Sequence, residues 1–361
     1  MSNLRLMIIA AALLWISCAQ SVAIAEPDAH ERRAEQILAD TGVTGGLIVH
    51  VGCDDGKLTA ALGINDRFIV HGLDADAQDL TRARRHIQSL GLYGKVSVGE
   101  FDGRHLPYAD NLVNLIVVED PGSVPLKELD RVLCPNGVTY IRKQRGWTKR
   151  VKSRPSEIDE WTHWLHGPDG NPVSQDSIVA PPRHLQWVAR PLWAKHHNMT
   201  QSLSAMITAK GKVFYIMDEA LPGIAGMPGK WSLFARDAFN GMLLWKRPIK
   251  NWGWPAWGDP SSRTTSRFDQ PADTTRRLVA GDNHLYTTLG FDAPLSEIDA
   301  DTGHTIKTYP GSEGVGEVLC HQGKLVVSTR EKRRDKNDNT PLGRSKSPHP
   351  TSSHTSATFP R

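Results

Sequence analysis

Gly52 and Gly56 bracket a short turn, G-C-D-D-G, which follows a run of apolar residues at 47–51 and precedes the helix-forming run K-L-T-A-A-L. A glycine turn between a buried strand and a helix is where an open α/β sheet binds a nucleotide, because glycines let the backbone approach the ligand at the strand ends. The chemistry expected there is backbone recognition rather than bond making. A second concentration of polar groups lies at 159–176, DEWTHWLHGPDGNPVSQD, where Trp161, His163, Trp164, His166, Asp169 and Asp176 are close in sequence. His163 and His166 at i, i+3 would share a helix face and suit a metal or ligand. The adjacent His196 and His197 are the one further histidine pair and do not give a zinc spacing, so the block reads as a segment that docks on a neighbouring domain and no metal site is assigned. Cys53, Cys134 and Cys320 are too far apart for a CxxC site or a disulfide framework.

The elements around the glycine turn follow from hydrophobic patterning. Pro27 and Asp28 give a helix start signal, with Ala34, Ile37 and Leu38 at helical spacing. Short apolar runs at 47–51, 68–73, 96–98, 112–118 and 138–141 read as buried strands. Leu80, Ala83, Ile87 and Leu90 recur at helical intervals, and Gly91 follows as a stop. Buried strands alternating with amphipathic helices predict a doubly wound α/β domain, with a parallel sheet covered on both faces, over residues 26–145.

A dinucleotide-binding turn would read GxGxxG, and this one does not. Its spacing resembles instead the first motif of class I S-adenosylmethionine-dependent methyltransferases, of the type 11 kind. The likeness continues in FIVHGLDADAQDLTRARRHIQSLGL, similar to that family's second strand and its helix, and in VSVGEFDGRHLPYADNLVNLIVVED, similar to its third and fourth strands. LKELDRVLCPNGVTYIRK resembles the next helix, turn and strand. The resemblance implies a Rossmann-like fold and S-adenosylmethionine as cofactor, held by His50, Gly52, Cys53, Asp54, Gly56, Asp74, Ala75, Asp102, Gly103 and Glu119. Asp74 stands in the place of the carboxylate that binds the ribose hydroxyls, and Asp102 in that of the group reaching the adenine. Two positions depart from the family: His50 replaces an acid, and Asp54 replaces a glycine. Aspartate tolerates left-handed backbone angles better than most residues, so the turn is expected to form. Glu119 and Asp120 end the fourth strand as a solvated loop end, and no residue is assigned a catalytic role.

Of the eleven tryptophans, Trp15 lies near the amino terminus and the other ten fall between Trp147 and Trp257. This marks a second, separately built segment, joined by a Trp/His-rich linker at 146–198. Within 199–330, GKVFYIM, HLYTTL and GKLVVST read as strands, and RDAFNGMLLW and IDADTGHTIK align as an internal D-A-x-x-G repeat. These repeats resemble the quinoprotein (PQQ)-like β-propeller, with too few units to close a ring of ~4–8 blades. Without an adjacent-cysteine pair or an acidic calcium cluster, pyrroloquinoline quinone is not expected. The module reads as an interaction surface for an envelope protein or for the unknown methyl acceptor.

The 361 residues, 39% hydrophobic and 23% charged, suffice for two cored domains. Arg5, the apolar run at 6–16 and the A-I-A site at 23–25 read as a secretory signal peptide over 1–25, cleaved before Glu26. An exported, periplasmic or cell-envelope protein without a membrane span is expected, or a membrane-anchored one if the leader is retained. The net charge of +4 is concentrated at the carboxyl end: residues 26–145 hold 14 Lys+Arg against 18 Asp+Glu, whereas 330–361 hold 8 against 3. No specific nucleic-acid signal follows, and residues 331–361 are expected to be a disordered basic tail. The expected function is S-adenosylmethionine-dependent methyl transfer with a propeller interaction module. The alternative is an exported, non-catalytic envelope scaffold with a degenerate methyltransferase fold.

Overall fold

The computed structural model describes residues 28–119, 124–178, 181, 185–192, 202–221, 229–253, 256, 270–271 and 273–329, and the backbone of 355–360. The signal-peptide expectation, Asp120 and His196–His197 lie outside these residues.

Helix α1 (Ala29–Thr41) begins at Asp28, whose carboxylate accepts the N–H groups of His30 and Glu31 while Glu31 reaches back to the Asp28 N–H, a capping box. Strand β1 (Gly46–Val51) and helix α2 (Lys57–Leu62) flank the glycine turn. Then follow β2 (Phe68–Asp74), α3 (Ala77–Ser89), β3 (Val96–Glu100), β4 (Val113–Val118), α4 (Leu126–Val132), β5 (Leu133–Lys143) and β6 (Gly146–Val151). The strands form one sheet in the order β3-β2-β1-β4-β5-β6, parallel except for β6, which pairs antiparallel with β5. Residues alternate between its faces. Ile48, Val70, Leu115 and Val117 pack with α1, α2 and α3, and Val49, Val51, Leu73, Ile116 and Val118 pack with α4 and the segment after β3. The doubly wound expectation holds, with two differences. The sheet runs past residue 145 to Val151, because Trp147 on β6 stacks on Tyr140 at 4.8 Å. Pro135, Asn136 and Gly137 lie inside β5 as a bulge rather than in a turn between helix and strand: the pairing with β4 skips from Leu133 to Val138.

The remaining described strands are antiparallel. β7 (Leu203–Ala209), β8 (Lys212–Asp218), β9 (Trp231–Asp237) and β10 (Leu243–Pro248) make one four-stranded meander, and β11 (Val279–Gly281), β12 (His284–Thr288), β13 (Leu295–Asp299) and β14 (Thr305–Tyr309) a second. β15 (Val315–His321), β16 (Lys324–Thr329) and β17 (Thr355–Pro360) make a third sheet. β17 falls within the tail expected to be disordered, yet its backbone completes a ladder with β16.

The D-A-x-x-G repeat turns the chain between the last two strands of each four-stranded sheet. Asp237 caps the N–H groups of Phe239 and Asn240, and Asp299 caps those of Asp301 and Thr302. Gly241 and Gly303 have positive φ, and a Cβ on either would meet an indole, that of Trp187 or Trp245. The same indoles donate to the Ala238 and Ala300 carbonyls at 2.9 and 3.0 Å. Trp187 in the linker thus stands to the first sheet as Trp245 on β10 stands to the second.

Consecutive residues of the segment at 159–176 bond to all three antiparallel sheets. The Trp161 carbonyl accepts from Thr208 on β7, the Thr162 carbonyl from Ala280 on β11, and the His163 ring from the Cys320 N–H on β15. No helix forms at 163–166. His163 and His166 pair as an antiparallel bridge and their rings diverge, His166 going to Asp159 at 2.8 Å, so they present no shared metal-binding face.

Candidate functional site

The carboxyl ends of β1, β4 and β5 open on a cleft of about 270 Å³. Its floor is the glycine turn. Gly52, Asp54 and Gly56 have φ of 76°, 43° and 78°, so three residues of five are left-handed and the aspartate at the departing position does adopt that geometry. The Gly52 N–H donates to the Leu73 carbonyl at 2.9 Å, and the Asp54 N–H to Asp74 Oδ2 at 3.1 Å. Turn and carboxylate are thereby one unit. Gly56 serves packing instead. A Cβ there would sit 2.7 Å from the Ala83 Cβ, so the glycine lets α3 lie against the turn.

His50 points from β1 into the helix-covered face and lines the cleft. It is 2% exposed; its Nδ1 shares a 2.8 Å hydrogen bond with Thr59 Oγ1, and its Nε2 is buried with no hydrogen-bond partner among the described residues. Burial lowers its pKa to about 4, against the opposing pull of Asp74, so the ring is neutral at pH 7. Cys53, also in the lining, is buried and its thiol is pushed up to about 12, chiefly by burial, which leaves it an unreactive wall.

Of the residues singled out in the sequence, His50, Gly52, Cys53, Asp54 and Glu119 line the cleft, and Gly56, Asp74, Ala75, Asp102 and Gly103 do not. Asp74 stands just outside at the end of β2, with Oδ1 accepting the Asp76 N–H at 3.1 Å; a carboxylate with two such partners keeps further lone pairs for a diol. Asp102 follows β3 in a tight turn. Its Oδ1 accepts the N–H groups of Arg104 and His105, and Oδ2 meets His105 Nδ1 at 2.6 Å. These bonds, the His105 N–H foremost, hold its carboxyl well below the usual range.

Sequence reasoning missed His30 and Arg33 on α1 and Arg142 on β5, all of which line the cleft. Glu119 lies 3.9 Å from Arg33 and 3.6 Å from Arg142 and joins the two ends of the chain segment across the cleft. The Arg33 guanidinium also rests 4.9 Å from the Trp147 ring. No spacing signals this grouping, since 109 positions separate the arginines. A cue existed only in the fold: α1 packs antiparallel to the strands and so brings its first turns to their carboxyl ends.

Residues 49–141 match the family model described as a methyltransferase domain. The chain is 34% identical over 118 residues to methyltransferase GfsG of Streptomyces halstedii, an overlap covering 30% of this chain and 42% of that protein. The chain thus spans less than half the length of this curated relative. Among solved structures, it is similar to a Methanococcus maripaludis protein assigned as an S-adenosyl-L-methionine-dependent methyltransferase (26% identity, TM-score 0.29, covering 31% of this chain and 54% of that one). An Aquifex aeolicus SAM-dependent methyltransferase matches at 23% identity and TM-score 0.28, over 31% and 68% of the two chains. The family match lies within residues 49–141, and the other overlaps cover 30–31% of this chain.

Proposed function

We propose that the first domain is an S-adenosylmethionine-dependent methyltransferase unit, exported by the leader and fused to a partial propeller-type interaction module. One observation carries the first half of this reading: the Asp54 N–H to Asp74 bond, which locks a left-handed glycine turn to an acid at the end of the neighbouring strand. A nucleoside needs a backbone it can approach closely and a carboxylate that accepts both ribose hydroxyls, and the two are presented side by side. The strand order β3-β2-β1-β4 puts Asp102, Asp74 and the glycine turn in sequence along one edge of the sheet. In this reading Asp102 would meet the base and Asp74 the ribose, with His50 and Glu119 lining the space left for the amino-acid end.

S-adenosylmethionine, when bound, supplies a sulfonium methyl group open to in-line displacement. The chain's own contribution is positioning. Neither innermost group suits proton transfer near neutral pH, because His50 binds its proton too weakly and Cys53 too tightly. The acceptor therefore arrives deprotonated, brings its own base, or uses the half-buried His30 in the cleft lining.

The second module is supported by the repeated Asp–Gly turns and the two matching indole contacts. It docks at the amino ends of the strands, through Asn114 and Leu112 of the first domain. The length of β1, ~17 Å at 3.3 Å per residue, separates that contact from the cleft.

The test is calorimetric titration of the full chain with S-adenosylmethionine, beside Asp74→Ala. Micromolar binding that the substitution abolishes is expected. A folded chain giving no heat favours the second reading, an exported scaffold whose cofactor site has decayed, for which His50 in an acid's place is the supporting observation.

A further inference from the structure

Arg33 and Arg142 line the cleft, and neither guanidinium donates a hydrogen bond among the described residues. Glu119 stands between them at 3.9 and 3.6 Å, beyond good hydrogen-bonding distance. The Nε of Arg33 is buried with no partner, and a buried donor in that state costs stability until something accepts from it. The Trp147 ring, 4.9 Å away, holds this guanidinium instead, and Trp147 is stacked in turn on Tyr140. Arg131 is the ordinary case: it donates to Glu128, Asp110 and the carbonyls of Leu106 and Tyr108 at 2.7–3.1 Å. The cleft arginines therefore present planar forks of unspent donors, which a carboxylate matches two bonds at a time. Beside Arg142, Lys143 and Arg145 are exposed at the β5–β6 turn and make no ion pair among the described residues.

Resting on the methyltransferase reading above, we propose that Arg33 and Arg142 hold the carboxylate of the methyl acceptor, which is a carboxylic acid methylated on that group. Three observations converge on this class. First, β5 and β6 lie on the other side of β1 from β2 and β3, where that reading puts ribose and base, so these cations stand away from the nucleoside. Second, Arg33 and Arg142 against Glu119 leave one positive charge, while Asp54 and Asp55 are paired with Arg82 and Lys57. S-adenosylmethionine, a zwitterionic amino acid bearing a sulfonium, adds another positive charge, and an anionic acceptor offsets what a neutral one leaves unbalanced. Third, neither His50 nor Cys53 takes up a proton near neutral pH, and a carboxylic acid is already ionised there and needs no base. In the transfer, an acceptor carboxylate oxygen attacks the methyl carbon in line with its bond to sulfur. That bond breaks, its electron pair stays on sulfur, and no proton moves. The new ester and the thioether sulfur are both uncharged, so the ion pair with the arginines is lost and the ester is free to leave.

The experiment is calorimetric titration of the full chain, saturated with S-adenosylhomocysteine, with benzoate and with its uncharged isostere benzamide. Benzoate is expected to bind and benzamide is not. Arg33→Gln and Arg142→Gln are each expected to weaken benzoate binding by about tenfold or more, while S-adenosylhomocysteine still binds both variants. Equal binding of the two probes, no binding of benzoate to the saturated chain, or no effect of the substitutions overturns the inference. So does a folded variant that no longer binds S-adenosylhomocysteine, because the arginines then serve the nucleoside's own carboxylate. If neither variant folds, competition on the native chain decides. Benzoate that binds alike with and without the nucleoside supports a separate acceptor subsite, and benzoate that the nucleoside displaces overturns it. A folded native chain that binds no S-adenosylhomocysteine overturns the methyltransferase reading and this inference with it, whereas nucleoside binding without benzoate binding overturns this inference alone.

Discussion

His50 and His163 are two buried neutral histidines in different parts of the chain, and each makes folding depend on pH. Burial lowers both to about 4 from an ordinary value of 6.5. For His163 the hydrogen bonds explain why the proton is refused: Nε2 accepts the Cys320 N–H at 3.1 Å, so the neutral ring carries its proton on Nδ1, toward Thr162 Oγ1. Between pH 6.5 and 4 the unfolded chain takes up a proton at each site and the folded chain does not. Stability is therefore full above pH 6.5 and falls as the pH drops toward 4, by up to about 3 kcal/mol per histidine. Urea denaturation at half-unit steps from pH 7 to 4 reads this directly. His50→Asn and His163→Asn should each flatten the slope, and a profile that neither substitution alters would refute the assignment.

At the level of elements, glycines with similar backbone angles do different work. Gly42 ends α1 at φ 72°, and a Cβ added there would meet nothing within 4 Å among the described residues, whereas Gly56, at φ 78°, is pressed against Ala83 on α3. Gly42→Ala should cost only the left-handed backbone strain, about 1 kcal/mol. Gly56→Ala adds overpacking between turn and helix, for a total of about 3 kcal/mol, and displaces the turn that holds Asp74. Chemical denaturation of the two variants measures the difference, and equal midpoints would show that α3 is free to retreat from the turn. The sequence already placed Gly56 in the turn, but its reason was read as approach to a ligand. The structure makes it a contact between turn and helix, which no local pattern announces because Ala83 is 27 positions away.

For the whole molecule, Asn114 is a central contact between the α/β domain and the antiparallel sheets, beside the Asn240 bond to the Leu112 carbonyl. Asn114, at the start of β4, donates to Asp237 Oδ2 at 2.7 Å and accepts from Asn240 at 2.6 Å and from the Leu47 N–H at 2.8 Å. Asp237 is buried and its carboxyl is raised, burial being the main cause, so its bond to Asn114 is hard to replace with water. We expect the native chain to melt in a single calorimetric transition. Asn114→Ala should remove about 3 kcal/mol and split that transition in two. Persistence of one unshifted peak would mean that the halves are held by other contacts.

The primary sequence by itself determined the order of strands and helices in the first domain, the left-handed turn at Gly52–Gly56 and the Asp–Gly repeat of the second. Each of these is written in local periodicity, in backbone tolerance or in residues a few positions apart. Tertiary structure alone decided the rest. It placed Trp147 in the first sheet, gathered Arg33, Arg142 and Glu119 at one cleft, and set Asn114 against the repeat turn. It also made His50 neutral, since the ionisation of a histidine depends on the water removed around it and on the charges brought near it. Those are sums over distant parts of the chain, and they take a value only once the chain has folded.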